Sequence, residues 1–405
     1  MTTAAPTTRP PVHRAVAAPA LLVGAILLLA LNMRGPLVAV SPVAGAIQDD
    51  LGIDAATVGL LTSLPVLCFG LATPAASLLL RRLGLGRGVL VALGVLVAGT
   101  LVRSTGELPA AIAGTLLIGA AITVGNVAVP VVIGRDLPAH AGPVLGMYTA
   151  ALNVGSMLTL SLTAPIAGAT NWRVALAAWS LMVLVAAVVW WWAMRATPDR
   201  DGPGPERPAA GGPAWWRRPV VWGLTLAFAG QAFAYYGVTA WLPLLLRDEL
   251  GMSTAAAGVS ASVFQIAALA GAFGVPVLLR LASDPRIAVL VVGLAWLALP
   301  LGLLLAPEAW LVWSAVGGAA QGGGLTVIFA LVVLTARDVV ENRRMSALVQ
   351  GGGYTVAAAG PLVVGAAHEA TGGWAAPLLV VLAALLVLLV AGLASARPRG
   401  AVAVS

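Results

Sequence analysis

Long runs of apolar residues dominate this chain and leave few folds open to it. A run of 18 or more apolar residues predicts a transmembrane helix. Twelve such runs are present, some interrupted by Gly, Pro or one polar residue. They begin near Ala17, Val58, Val89, Leu108, Pro143, Trp172, Val220, Ala255, Ile287, Ala309, Ser346 and Trp374. The sequence therefore predicts an all-α integral membrane protein with twelve transmembrane helices.

Charge defines the expected orientation of these helices. Charged residues are 9% of the 405 positions, and all 22 basic residues are arginine. With the N-terminus in the cytoplasm, 18 of them fall on the cytoplasmic side, as the positive-inside rule requires. Arg103, Arg173 and Arg247 are then external, and we expect Arg103 and Arg173 at the outer rim. Both termini are predicted to be cytoplasmic, and since the net charge of +7 reflects membrane topology, no nucleic-acid partner is expected.

Short motifs recur in the second half of the chain at a displacement of 199 residues. Matches at this displacement are Asp49–Gly52 with Asp248–Gly251, Gly59 with Gly258, and Asn32 with Gln231. A polar stretch rich in Pro and Gly separates the halves and predicts a flexible cytoplasmic linker. The predicted organisation is a cytoplasmic tail (1–16), a six-helix half (17–195), the linker (196–218), a second six-helix half (219–394) and a cytoplasmic tail (395–405).

Motifs spread along the chain point to one known family. They are Leu31–Pro36, Gly125–Pro130, Arg135–Pro138, Gly146–Thr149, Tyr235-Tyr236, Trp241–Pro243, Gln350–Tyr354, Gly360-Pro361 and Thr371–Trp374. In order and spacing they resemble the cyanate porter family of the major facilitator superfamily, which includes cyanate and 2-nitroimidazole transporters. The resemblance runs nearly end to end. It implies solute binding at mid-membrane between two six-helix halves, and alternating access by rocking of those halves. One departure concerns gating, because Arg81 stands where facilitators usually carry an acid.

Arg34 lies within an apolar run, from about Pro19 to Ala46, that contains no carboxylate. A charge at mid-bilayer costs about 3 kcal/mol on insertion scales, and such residues normally face a protein interior or a water-filled cavity. We interpret Arg34 as the charge that anchors a solute; a structural role, bonded to free backbone carbonyls, is the alternative. Pro36 removes the donor to the carbonyl of Asn32 and bends the helix. Whether Asn32 and Arg34 share a face, which an ideal helix would place about 200° apart, is therefore left open.

Polar residues three or four positions apart share a face in several predicted helices. The candidate solute-binding residues are Arg34, Asn32, Asn126, Asn153, Gln231, Tyr235, Gln265, Gln350 and Tyr354. They offer neutral hydrogen bonds around one positive charge, which suits a small anion or a polar planar molecule with an electron-rich end. Tyr235 and Tyr354 are preferred to Tyr236, since they align with Gln231 and Gln350. An alternative role for the amides is hydrogen bonding between helices. The predicted gating and topology residues are Arg81, Arg135 and Arg337.

These patterns predict a secondary active or facilitative transporter of a small, anionic, cyanate-like solute. The alternatives are efflux of a neutral heterocycle such as a nitroimidazole, and a sensor that binds solute without moving it. No enzyme is indicated, because no set of nucleophile, base and metal ligands is visible, and no cofactor is expected. The carboxylates fall in loops or at helix ends, so coupling to a proton or to a counter-anion is left open. Abundant Ala, Gly, Pro and Arg without Lys favours a bacterial cell membrane, where we expect a monomer.

Overall fold

A computed structural model describes residues 12–137, 140–196, 215–282, 284–337 and 339–396. All the regular elements in these ranges are helices. In the first half they are α1 (Val12–Val38), α2 (Ala44–Leu51), α3 (Ala55–Leu71), α4 (Thr73–Leu83), α5 (Leu85–Arg103), α6 (Leu108–Asp136), α7 (Ala141–Ala169) and α8 (Trp172–Ala196). In the second half they are α9 (Pro219–Leu250), α10 (Thr254–Leu281), α11 (Pro285–Leu305), α12 (Trp310–Thr335), α13 (Val339–Ala357), α14 (Ala359–Thr371) and α15 (Ala375–Ser395).

These helices form the twelve predicted membrane spans. Ten segments of the described chain are each long and apolar enough to cross a bilayer, and α3 with α4 makes an eleventh that bends by 63°. The twelfth is α9, which is less apolar because it carries Gln231, Tyr235 and Tyr236. Most of α9 is buried inside the protein, so its polar groups face protein and not lipid. The twelve-helix prediction is confirmed.

Proline accounts for the sharpest bend. Pro74, at the start of α4, has no N–H to donate to the carbonyl of Gly70, so the helix cannot continue straight from α3. Pro36 lies inside α1, where it removes the corresponding bond to the carbonyl of Asn32. Both prolines lie in helices that line the cavity described below.

The two halves meet along two main contacts. In one, α3 packs against α13 and α14, and in the other α7 packs against α10. These contacts leave a cavity between α1, α3, α4, α6 and α7 on one side and α9, α12 and α13 on the other. The repeat detected in the sequence therefore corresponds to two helical bundles around a central space.

Most of the predicted linker, residues 197–214, lies outside the described residues, as do residues 1–11 and 397–405 of the predicted tails. The last linker residues are structured: Trp215–Arg217 forms a 3-10 turn. Arg218 pairs with Glu341 and donates to the carbonyl of Thr335 at 3.2 Å. The end of the linker is thus bound to the second half.

Candidate solute-binding site

A cavity of about 600 Å³ separates the two halves. Its polar wall includes the side chains of Arg34, Asn126, Tyr148, Gln350 and Tyr354. None of the described residues that line it is acidic. The cavity thus carries polar groups on a largely apolar wall, and the one formally charged side chain among its described lining residues is a cation.

The lining shows which way this cavity opens. It extends to Thr73 and Pro74 at the start of α4, to Pro130 near the end of α6, and to Ser346 near the start of α13. These residues lie toward the helix ends that the arginine distribution predicts to be cytoplasmic. In that orientation the cavity opens toward the cytoplasm, as in the inward-facing state of an alternating-access carrier.

Direct contacts between the halves close the external side. Ser41 donates to the carbonyl oxygen of Thr239 at 2.9 Å, and Glu369 Oε2 accepts the backbone N–H of Ala55 at 3.2 Å. The neighbouring Asp54 caps α3 by accepting the N–H of Thr57, and this bond holds the pKa of the Asp54 carboxyl below its ordinary value. The amino end of α3 is therefore bound both within its own half and across the interface.

Two glycines allow the closest of these external contacts. A Cβ placed on Gly59 would lie 2.8 Å from the carbonyl oxygen of Pro361, and one on Gly258 would lie 2.6 Å from that of Leu160. Each glycine belongs to one half and faces a backbone of the other. These are the positions related by the 199-residue displacement, so the external closure repeats in both halves.

The guanidinium of Arg34 is held by neutral side chains. Its Nη1 donates to Asn153 Oδ1 at 3.4 Å and to the Tyr235 hydroxyl at 3.3 Å, and it lies 5.1 Å from the centre of the Tyr235 ring. Both bonds are long for N–H···O geometry. Among the described residues no carboxylate pairs with Arg34, and its remaining donors make no hydrogen bond to protein. Arg34 therefore faces the cavity with most of its hydrogen-bonding capacity unused.

A chain of hydrogen bonds continues behind this arginine. The Tyr235 hydroxyl donates to Gln265 Oε1 at 3.3 Å, and Gln265 Nε2 donates to Thr239 Oγ1 at 3.2 Å. Gln265 and Tyr235 are buried. Arg34 of the first half is thus connected through Tyr235 to two helices of the second half, α9 and α10.

The four tyrosines of the chain all lie near Arg34. Tyr148, Tyr236 and Tyr354 line the cavity, while Tyr235 bonds to the guanidinium. The rings of Tyr235 and Tyr236 are 4.9 Å apart in an edge-to-face contact, and Tyr354 packs edge-on against Phe69 at 5.6 Å. Such pairs favour one relative orientation of the rings. The site therefore combines one cation with an aromatic wall.

Seven of the nine predicted binding residues lie at this site. Asn126, Gln350 and Tyr354 line the cavity with Arg34, and Asn153, Tyr235 and Gln265 form the network behind it. Tyr236, which the helical alignment did not favour, also lines the cavity. Tyr148 also lines the cavity and is not among the predicted residues. A tyrosine within an apolar run is a polar group in a predicted transmembrane helix, and this sequence feature could have indicated it.

Asn32 lies elsewhere. It is 1% exposed, and its Nδ2 donates to the carbonyl of Leu28 at 2.7 Å and to that of Met182 in α8 at 3.4 Å. Despite the proline, Asn32 and Arg34 point to different sides of α1, as in an ideal helix. Asn32 joins α1 to α8 inside the first half, so we leave it out of the proposed site.

Gln231 makes the corresponding contacts in the second half. Its Nε2 donates to the carbonyl of Gln321 at 2.8 Å, and its Oε1 accepts the indole N–H of Trp296 at 2.8 Å. Gly324 of α12 packs directly against its amide. Gln231 therefore joins α9 to α11 and α12, and it too is left out of the proposed site.

The three predicted gating arginines lie outside the cavity lining. Arg81 is exposed near the end of α4. Arg135 forms a bidentate pair with its neighbour Asp136, with both N···O distances 2.8 Å. Arg337 is exposed, and its backbone N–H donates to Glu341. All three lie toward the side that is predicted to be cytoplasmic, and their gating role stays a prediction.

Arg103 departs from the expected rim position, and that expectation is wrong. This last residue of α5 is 1% exposed, and its Nη1 donates to the carbonyl of Pro36 at 2.6 Å. Arg173, by contrast, is partly exposed and pairs with Asp50 at 2.5 Å. Both arginines end or begin an apolar run, so the sequence does not show which side chain turns inward.

Two helical halves around a central cavity that holds a cationic side chain and opens on one side define a membrane transporter. The model of the Major Facilitator Superfamily matches residues 20–288. The chain is 31% identical to "Uncharacterized transporter YycB" of Bacillus subtilis over 78% of this chain and 79% of that protein. It is 29% identical to the "2-nitroimidazole transporter" of Escherichia coli, covering 78% and 79%, and 26% identical to its "Cyanate transport protein CynX", covering 77% and 80%.

This chain belongs to the Major Facilitator Superfamily. The predicted resemblance to cyanate porters is confirmed by the relatives named above, and the fold and relatives are those of transporters and not of enzymes. Solved structures agree on the fold. A bacterial homologue of the human lysosomal transporter Spinster superposes with a TM-score of 0.74 at 15% identity, covering 93% of this chain and 96% of that one. The D-xylose-proton symporter gives 0.68 at 13% identity, covering 91% and 96%.

Proposed function

We propose that this protein carries a small anion across a bacterial cell membrane by alternating access, with Arg34 as the positive charge of the binding site. The observation that carries this proposal is the contact set of Arg34. Its guanidinium reaches the cavity and bonds to neutral Asn153 and Tyr235 alone among the described residues. A charge in this position normally meets a ligand or a partner, and no protein carboxylate takes that role here.

The geometry suits a small anion with one or two acceptor atoms. Hydrogen bonds from a guanidinium to an anion are short and about twice as strong as neutral ones. The amides of Asn126 and Gln350 and the phenols of Tyr148 and Tyr354 add neutral donors in the same cavity. A cyanate-like anion therefore finds charge at one point and hydrogen-bond donors around it. The relative that is named for cyanate transport supports this class of solute.

Exchange for a second anion is the coupling that this site favours. The described lining holds no Asp or Glu that would carry a proton. Closing the cavity around a vacant Arg34 would bury an uncompensated charge, which is costly in a low-dielectric interior. An anion bound during each passage avoids that cost. We therefore propose counter-anion exchange by a single copy of the chain, since the site is built from one chain.

A neutral planar heterocycle is the second candidate, and the aromatic wall favours it. Tyr236 and Tyr354 line the cavity, and the Tyr354 ring is held between Phe69 and Phe228. A nitro-substituted ring would stack on these phenols while its oxygens accept from Arg34. The relative that is named for 2-nitroimidazole supports this class.

Binding to purified protein separates the two candidates. We expect cyanate to raise the thermal unfolding temperature of the wild type, and Arg34→Gln to weaken that binding about 10- to 100-fold, as loss of a charged hydrogen bond predicts. Arg34→Lys keeps the charge but not the planar fork, so an intermediate loss is expected. Arg173→Gln is the matched control, because it removes an arginine of an external ion pair that does not line the cavity.

Three results would change the assignment. Equal stabilisation of wild type and Arg34→Gln by 2-nitroimidazole, with none by cyanate, would replace the anion by the heterocycle. Equal cyanate affinity in both proteins would make Arg34 structural. Binding without counterflow of labelled cyanate into liposomes would indicate a sensor and not a carrier.

A further inference from the structure

We propose that Arg103 is a positioning residue that caps the end of α1 and thereby holds Arg34 in the cavity wall. Arg103 does not line the cavity, so it acts on the solute only through Arg34. The effect that we expect Arg103 to have on anion binding rests on the proposed function. The effect that we expect it to have on the end of α1 is independent of that function.

The contact itself is short and buried. Arg103 Nη1 donates to the carbonyl oxygen of Pro36 at 2.6 Å, while Nε and Nη2 of Arg103 have no hydrogen-bond partner among the described residues. No carboxylate in the described chain pairs with this guanidinium. An arginine buried in this way is costly in a membrane protein. That cost indicates that the bond to Pro36 has a specific use.

The position of the acceptor, the carbonyl oxygen of Pro36, explains what the Arg103 bond does. α1 ends at Val38, so the carbonyl of Pro36 is among the last four of the helix, which have no partner within the helix. The preceding carbonyl, that of Gly35, accepts the N–H of Ala39 at 2.9 Å. The guanidinium of Arg103 satisfies the Pro36 carbonyl instead. A cation at the carboxyl end of a helix is also favoured by the helix dipole.

The same turn also contacts α7. A Cβ on Gly35 would lie 2.8 Å from Thr159 Oγ1, so α1 and α7 are in close contact there. Arg34 precedes this turn, with Asn153 of the same helix α7 bonded to its guanidinium. The end of α1 is therefore fixed between Arg103 of α5 and Thr159 of α7. Loss of the Arg103 bond frees one side of the turn that orients Arg34.

Hydrogen exchange of the ligand-free protein tests the positioning directly. In Arg103→Gln we expect the amides of residues 37–40 to exchange about tenfold faster, the change that loss of one charged hydrogen bond predicts, with α15 unchanged. Arg103→Lys retains a cation and should restore part of the protection. Arg173→Gln, another arginine at an external helix end, is the control and should leave these amides unchanged.

A double-mutant cycle with cyanate then tests the action through Arg34. We expect Arg103→Gln to weaken cyanate binding about tenfold in the wild-type background and to have no further effect in Arg34→Gln. Independent losses in the double variant would overturn the proposal. So would unchanged exchange at residues 37–40, or faster exchange spread evenly over α5, α8 and α15, which would mark a general loss of stability.

Failure of the proposed function gives a different result. If cyanate does not bind even the wild type, while exchange is faster at residues 37–40 alone and is restored by Arg103→Lys, the anion proposal fails. Arg103 is then still upheld as the residue that fixes the end of α1.

Discussion

The two halves of the chain place an amide at the same position of their first long helix and use it for the same purpose. Asn32 joins α1 to α8 in the first half, and Gln231 joins α9 to α11 and α12 in the second. Both are buried and both donate to a backbone carbonyl of another helix. At this position the two halves are alike, and the shared chemistry is structural.

Two residues further along, the halves differ. Arg34 in the first half corresponds to Phe233 in the second at the 199-residue displacement. Arg34 lines the cavity, whereas Phe233 is absent from its lining. The second half instead contributes Tyr235, whose hydroxyl accepts from Arg34 and donates to Gln265. The cation thus comes from one half and much of the aromatic wall from the other.

This difference shows how a repeated scaffold acquires a specific site. Positions that obey the repeat hold each bundle together or close the external side, as Asn32, Gln231, Gly59 and Gly258 do. The solute-binding chemistry lies where the repeat is broken. Because a bound solute would contact both halves, its binding would bias how the halves move against each other.

The largest expected effect tests the symmetry of the external closure. Gly59→Val and Gly258→Val each add side-chain atoms where a Cβ already comes within 2.8 or 2.6 Å of a carbonyl oxygen in the other half. We expect either change to disfavour the inward-facing state and to lower exchange of labelled cyanate in proteoliposomes more than about tenfold, the effect of about 1.4 kcal/mol. Gly94→Val is the control, since nothing lies within 4 Å of its Cβ position. A loss for one glycine alone would show that the two contacts are not equivalent.

An intermediate effect compares the two structural amides. Gln231→Leu leaves the buried indole N–H of Trp296 without its acceptor and removes the bond to the carbonyl of Gln321, so we expect a loss of about 1–3 kcal/mol in the free energy of unfolding. Asn32→Leu removes one local bond and one long interhelical bond, which predicts about 0.6 kcal/mol. Reversible unfolding in mixed detergents measures both.

Measuring the cyanate affinity of the Gln231→Leu and Asn32→Leu variants tests whether these two amides are structural. Neither variant should change the Kd for cyanate by more than about twofold, since neither side chain reaches the cavity. A greater loss of affinity than of stability in Asn32→Leu would return Asn32 to the site.

The smallest effect concerns the helix that faces Arg34. Tyr235→Phe keeps the ring over the guanidinium but removes the hydroxyl that joins Arg34 to Gln265, and we expect cyanate binding to weaken about 2- to 10-fold. Phe233→Leu is its partner variant, an apolar exchange outside the cavity lining, with an expected change under about twofold. Equal losses in titration calorimetry would mean that α9 as a whole, and not the Tyr235 hydroxyl, governs affinity.

Sequence reasoning succeeded where a pattern has one physical solution. A long apolar run in water has no stable exposed form, so the spans could be predicted, and the repeat indicated two halves. Because the apolar run around Arg34 contains no carboxylate, the sequence indicated Arg34 as a candidate binding residue. The prediction for Arg103 was wrong, because an arginine at the end of an apolar run can point toward the lipid headgroups or into the helical bundle. The neighbouring helices determine which of the two directions the side chain takes.

The sequence by itself determined the number of spans, their division into two halves and the presence of one cation without a carboxylate in its own run. Apolar length and charge act locally along the chain, so they can be read without knowing which helices touch. The tertiary structure alone decided that Asn32 and Gln231 face their own bundles, that four tyrosines meet at Arg34, and that Arg103 ends at the carbonyl of Pro36. Each of these depends on contacts between helices distant in sequence, and the direction of a side chain is set by the helix that packs against it.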